Sequence, residues 1–262
     1  LGLGSPRRRR RLGARPAGRR GRGPPVPPTM GNATPRLLCL HSFRTSGPIL
    51  KDQMFQFSNF GEKLEHAGYD LEFLNAPYQC NEEDEKKVYA VVKQAFTRHK
   101  KYYEWYNASD DKTEYRRLDE TIAYLERMLE QKGPFDGLVG FSQGGSLAHL
   151  MAYLQATGQA FTRHPPFKFI VILSSRRSRA TIHQPLWQAP PPKNLPKAIV
   201  FYGGKDKACP VEDAKKLIET LPGAEEVYLP ESDHRVPTLP EAEGGRLLDF
   251  LRQFRPGCCG CF

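Results

Sequence analysis

The chain lacks any run of about twenty apolar residues, which excludes a helix built to cross a membrane, and no secretory signal is recognisable in it. It lacks paired CxxC units as well. Its six cysteines, Cys39, Cys80, Cys209, Cys258, Cys259 and Cys261, form neither a zinc-ligand pattern nor a regular disulfide framework. Reduced thiols in an intracellular, cytoplasmic protein are the expectation. Acids are missing altogether from residues 1–29, where nine arginines stand. What the remainder lacks is net charge: the chain carries 39 Lys and Arg against 29 Asp and Glu, and setting those nine aside leaves 30 against 29. Nucleic acid is therefore not expected to bind the core. No internal repeat is visible.

The Arg-, Pro- and Gly-rich residues 1–29 have almost nothing to bury and are expected to be disordered. They read either as an address, the nucleus included, or as sequence ahead of a start at Met30. Residues 257–262, ending in CCGCF, read as a Cys-rich tail open to lipidation. Between them, residues 30–256 suffice for one domain with one substantial core.

That core alternates short apolar runs with longer amphipathic stretches, as a mostly parallel sheet covered by helices on both faces would. Strands are expected at LLCL (37–40), DLEFLN (70–75), GLVGF (137–141), FKFIVIL (167–173), AIVFY (198–202) and EVYL (226–229). Leu118, Ile122, Leu125 and Leu129 draw one helical stripe. Helical patterns also follow Ser142, precede the sixth strand and close the chain. Residues 77–113 break this rhythm with the charged run NEEDEKK and the aromatic cluster KYYEWYNAS. An insertion at a strand's carboxyl end lies beside the usual ligand crevice of an open α/β sheet. Tyr102, Tyr103, Trp105 and Tyr106 thus read as a substrate wall or as packing under a long loop, and Tyr103 and Trp105 are the candidates for substrate contact.

The chemistry gathers around GFSQGG, residues 140–145, where an apolar strand gives way to a helix. Glycines on both sides of Ser142 relieve a sharp turn that exposes the hydroxyl, the arrangement of a nucleophile elbow. Candidate partners follow in the order acid, then base. Asp206 leaves the strand AIVFY in the turn GGKD, and His234, in ESDHRVP, is the one histidine that follows both Ser142 and Asp206 at a strand end. His234 would take the hydroxyl proton during attack on an acyl carbon, while Asp206 would fix the imidazole tautomer. Backbone N–H groups of Gln143, after the nucleophile, and Phe43, after the first strand, are the expected oxyanion donors. Such chemistry requires no metal and no cofactor.

The motifs LCLHSFRTSG, YYEW, GPFDGLVGFSQGG, GGKD and HRVP, spread in order from Arg36 to Phe254, together resemble the FSH family of serine hydrolases. The resemblance implies an α/β-hydrolase fold, esterase activity on acyl esters, and a triad at Ser142, Asp206 and His234. GFSQGG also resembles acyl-protein thioesterases, so the expected partner is a small acyl ester or thioester. Three departures bear on activity. Ser42 stands where the family has Gly, and is expected to cost about 1 to 3 kcal/mol if its φ is positive. SSRRSR replaces a Gly-rich turn after FKFIVIL. Ser232 and Asp233 replace Gly-Gly before the histidine, and Asp233 is expected to compete with Asp206 for the imidazole. A scaffold that binds ligands with weakened turnover is the alternative these departures raise.

Overall fold

The computed structural model describes residues 34–255; the leader 1–29 and the tail 257–262 lie outside them. Six strands form one parallel sheet: β1 (Arg36–Leu40), β2 (Asp70–Leu74), β3 (Gly137–Phe141), β4 (Phe169–Leu173), β5 (Lys197–Gly203) and β6 (Glu225–Leu229). Their spatial order is β6-β5-β4-β3-β1-β2. Every pair is parallel, so each strand must be reached by a crossover, and the amphipathic segments supply the helices.

Side-chain alternation distributes the apolar runs between two cores. Leu38, Leu40, Leu138, Ile170, Ile172 and Val200 face α3 (Leu118–Lys132), α4 (Gln143–Ala156) and α5 (Val211–Ile218). Leu37, Cys39, Val139, Phe169, Val171 and Phe201 point the other way, against α1 (Gly47–Phe55), α2 (Phe60–His66) and α6 (Glu241–Arg252). Burial on both faces explains why the inner strands read as continuous apolar runs, whereas the edge strands β2 and β6 keep charged residues partly exposed.

All six strands lie where the sequence places them, within two residues at either end. No helical pattern stands out over 47–66, yet α1 and α2 form there. The start of α1 has local cause: Ser46 Oγ accepts from the N–H of Ile49 at 3.2 Å and Pro48 occupies the first turn.

The insertion resolves into two short hairpins and two short helices. Tyr78–Gln79 pairs antiparallel with Tyr103–Glu104, and Asn107–Ala108 with Tyr115–Arg116. Tyr102 packs with Ile49, Cys80, Val88, Val92 and Phe96 in a small third core. The charged run is mostly exposed, with Asp84 as its anchor. Arg44, itself buried, reaches from the loop after β1 to Asp84 Oδ1 at 2.9 Å and to the buried Glu104 Oε2 at 3.1 Å, so the insertion is fastened to the loop that carries Phe43.

Candidate active site

The strand order reverses between β1 and β3, and the crevice at the carboxyl ends of these two strands is where an open α/β sheet takes its ligands. Ser142 sits there, between β3 and α4, with φ 53° and ψ −115°. That is a strained backbone for a residue with a Cβ, costing on the order of 1 to 3 kcal/mol. The surroundings hold it. The N–H of Ser142 donates to Leu173 O at 2.9 Å, and its carbonyl accepts from Ser175 Oγ at 2.7 Å and from the N–H of Ser146 at 3.0 Å. Two flanking glycines let β3, α4 and β1 approach this closely: a Cβ on Gly140 would lie 2.4 Å from Gly144 O, and one on Gly144 would lie 2.0 Å from Leu40 O.

The three side chains singled out from the sequence converge. His234 Nε2 lies 2.9 Å from Ser142 Oγ, and His234 Nδ1 lies 2.8 Å from Asp206 Oδ2. The network fixes the protons. Oδ2 can only accept, so Nδ1 donates, which leaves Nε2 as an acceptor facing the hydroxyl. The Asp206 side chain is fully buried, and its Oδ1 accepts from the N–H groups of Ala208 at 2.9 Å and Cys209 at 2.7 Å. Neither Phe43 nor Gln143 donates its backbone N–H to a protein acceptor among the described residues, and both residues line the cleft beside Ser142.

Gln143 has a second task. Its side chain accepts from the N–H of Trp105 at 3.1 Å and donates to Tyr106 O at 2.8 Å, which ties the insertion to the nucleophile turn.

The cleft holds about 250 Å³ and is walled by Phe43, Tyr89, Tyr106 and Tyr115. The structure corrects the aromatic assignment, since neither Tyr103 nor Trp105 lines it. Trp105 is fully buried, with Nε1 donating to His41 O at 2.8 Å, because the carbonyl at the end of β1 needs a partner and the indole supplies one. Tyr103 is half-buried, and its N–H is taken by Thr45 O at 2.6 Å. The wall is built instead by Tyr106 and by Tyr115, stacked on it at 4.4 Å. The sequence carries no signal for Tyr115. A larger groove of about 710 Å³ between α3 and residues 161–165 contains none of the three converging side chains.

The departures around the site are absorbed. Ser42 does not have a positive φ; the left-handed position in that loop is Arg44, at φ 51°. The carboxylate of Asp233 is taken by the guanidinium of Arg235, which holds it below the usual range and leaves the imidazole to Asp206. Cys209 lines the cleft as well, but burial pushes its thiol up to about 12, so it supplies no thiolate at neutral pH.

Two other histidines serve structure. The Nδ1 of the fully buried His41 donates to Ser42 O at 2.7 Å and its Nε2 accepts from the N–H of Ala76 at 3.0 Å, which only the neutral ring can do. Burial lowers its pKa to about 4, and burial with the charge of Arg177 lowers that of His149 to about 3. An unfolded imidazole titrates near about 6.5. As pH falls below that value the unfolded chain binds protons that the folded chain refuses, so stability present above about 6.5 is lost progressively towards the folded values. We expect urea midpoints to fall between about pH 7.5 and 4.5 by an amount equivalent to roughly 2 to 3 kcal/mol per ring. His149→Gln should flatten the dependence; an identical pH slope in that variant would refute the assignment.

Known proteins are similar to this chain over the stretch that holds the site. The family profile described as Serine hydrolase (FSH1) matches residues 30–244. Esterase OVCA2 of Danio rerio is 26% identical over 239 residues, covering 84% of this chain and 97% of that protein. A Schizosaccharomyces pombe protein named Dihydrofolate reductase is 29% identical over 207 residues, which are 77% of this chain and 44% of that relative, so the chain spans less than half of it. Among solved structures, Zea mays acyl-protein thioesterase 2 superposes with a TM-score of 0.57 at 16% identity, over 86% of this chain and 95% of that one. At that identity the likeness is one of fold, and the fold is that of the α/β hydrolases. A profile matched from residue 30 to residue 244, across every strand and the three converging side chains, settles the kinship: the chain belongs to the serine hydrolase (FSH1) family.

Proposed function

We propose that the protein is a carboxylesterase that cleaves small to medium acyl esters through an acyl-enzyme on Ser142. The observation that carries this reading is the hydrogen-bonded line from Asp206 through His234 to Ser142, with Nε2 facing the hydroxyl. As Oγ attacks the acyl carbon, Nε2 takes its proton, and the imidazolium is stabilised by the buried carboxylate. Charge developing on the carbonyl oxygen meets the N–H groups of Phe43 and Gln143, each worth roughly 3 to 4 kcal/mol in such a role. His234 returns the proton to the departing alcohol, and water repeats the cycle on the acyl-enzyme. A cleft of about 250 Å³ lies just below the range of roughly 300 to 1,000 Å³ found for drug-sized ligands, which favours a compact acyl group.

A fluorophosphonate probe tests this directly. It should label the wild type and spare Ser142→Ala; a folded wild type that stays unlabelled would leave a ligand-binding scaffold as the better reading. Matched oxygen and sulfur esters then separate esterase from thioesterase, and we expect the oxygen ester to be turned over. The buried free thiols of Cys39, Cys80 and Cys209 support a reducing, cytoplasmic setting.

A further inference from the structure

The turn after β4 gives one side of the cleft a positive lining. Arg176 and Arg179, from SSRRSR, line it together with Lys112, and no Asp or Glu does. Arg176 is balanced by Asp213 at 2.8 Å. Arg179 and Lys112 form no ion pair among the described residues. Of the acids flanking Lys112, Asp111 accepts from Ser109 Oγ at 2.6 Å and from Thr113 Oγ1 at 2.8 Å, while Asp110 and Glu114 are exposed and outside the cleft lining; Asp206 faces His234.

Arg179 is also held outward by its neighbours. It is exposed between Ser178 and Ala180, both buried. Ser178 Oγ bonds His183 Nδ1 at 2.7 Å and accepts from the N–H of Ala180 at 3.2 Å, while the N–H of Arg179 itself donates to Tyr115 Oη at 2.9 Å. The backbone of this turn is thus fixed to the cleft wall before any ligand arrives, so little ordering is left to offset the attraction of a charge.

Resting on the esterase reading above, we infer that the substrate is an ester bearing an anionic group close to the scissile bond, a carboxylate or a phosphate, recognised by Arg179 and Lys112. A guanidinium without a partner in a partly enclosed cleft binds such a group by paired charge-assisted hydrogen bonds. A neutral ester leaves both cations solvated and gains nothing from them.

The test compares matched pairs. For charge on the acyl half, mono-para-nitrophenyl glutarate is set against para-nitrophenyl pentanoate. For charge on the alcohol half, the butyrate ester of para-hydroxybenzoate is set against that of its methyl ester. In at least one pair the wild type should favour the anion in kcat/KM by about tenfold or more, and Arg179→Gln should erase most of that ratio. Arg179→Lys should retain part of it, and the preference should shrink at high salt. Whichever pair shows the preference places the charge on that half. Equal kcat/KM within both pairs, or a ratio unmoved by Arg179→Gln, overturns the inference while leaving the esterase reading intact. If no ester is cleaved and the fluorophosphonate probe fails, the esterase reading falls instead. Calorimetry of the same anionic esters with Ser142→Ala and with Ser142→Ala carrying Arg179→Gln then decides anion recognition, since tighter binding by the former supports it and equal binding refutes it.

Discussion

Replacing Asp206 by Asn should lower kcat about 10⁴-fold while leaving the fold standing. The side chain has two functions on its two oxygens. Oδ1 accepts from the N–H groups of Ala208 and Cys209, and an amide oxygen can continue to do so. Oδ2 accepts from His234 Nδ1, and there an amide NH₂ would donate instead. The imidazole would then carry its proton on Nε2, facing Ser142 Oγ with a donor where an acceptor is needed. Steady-state hydrolysis of a para-nitrophenyl ester and a thermal melt measure the two halves of this expectation. A variant within tenfold of the wild type would show that Asp206 does not set the tautomer, and a collapse of the melting temperature would show that its structural bonds are not preserved.

Gly144→Ala should damage both stability and turnover. The added carbon meets Leu40 O at 2.0 Å, Leu40 C at 2.5 Å and His41 O at 2.7 Å, all main-chain atoms at the carboxyl end of β1. None of them is the free end of a flexible side chain, so α4 must lift from β1. Overpacking of this kind costs about 1 to 3 kcal/mol or somewhat more, which for a domain of this size corresponds to a melting temperature lower by roughly 5 to 10 °C. Lifting α4 also moves the N–H of Gln143 and the Ser142 turn, and kcat should fall by at least about 100-fold. Gly245 provides the contrast: it lies inside α6, where an added methyl would find nothing within 4 Å, so Gly245→Ala should be neutral or stabilise by up to about 1 kcal/mol. Equal effects at the two sites would refute the argument from close approach.

These two residues also show how far the sequence speaks for itself. The four inner strands are legible because burial on both faces forces apolar runs, the edge strands DLEFL and EEVYL are mixed runs of charged and apolar residues, and GFSQGG is legible because its glycines mark where two elements touch. The order of Ser142, Asp206 and His234 at three strand ends likewise needs no tertiary information. By contrast, α1 and α2 span nine and seven residues, too short for an apolar stripe to repeat convincingly. The aromatic cluster is opaque for a different reason. Whether Trp105 faces substrate or a backbone carbonyl depends on which residues of an irregular hairpin meet the end of β1, and neither period 2 nor period 3.6 encodes that. Ser42 and Asp233 illustrate the same limit. The strain falls two residues on, at Arg44, and Asp233 is neutralised by its own neighbour, Arg235.

Gln143 stands at the junction of the nucleophile turn and the cleft wall. Its main-chain N–H is the one proposed to meet the reacting oxygen, and its side-chain amide donates to the carbonyl of Tyr106 in the cleft wall. An acyl chain too bulky for the wall would then tug on the donor proposed to steady the transition state. Discrimination among chain lengths should then register in how fast a bound molecule reacts more than in how tightly it is held.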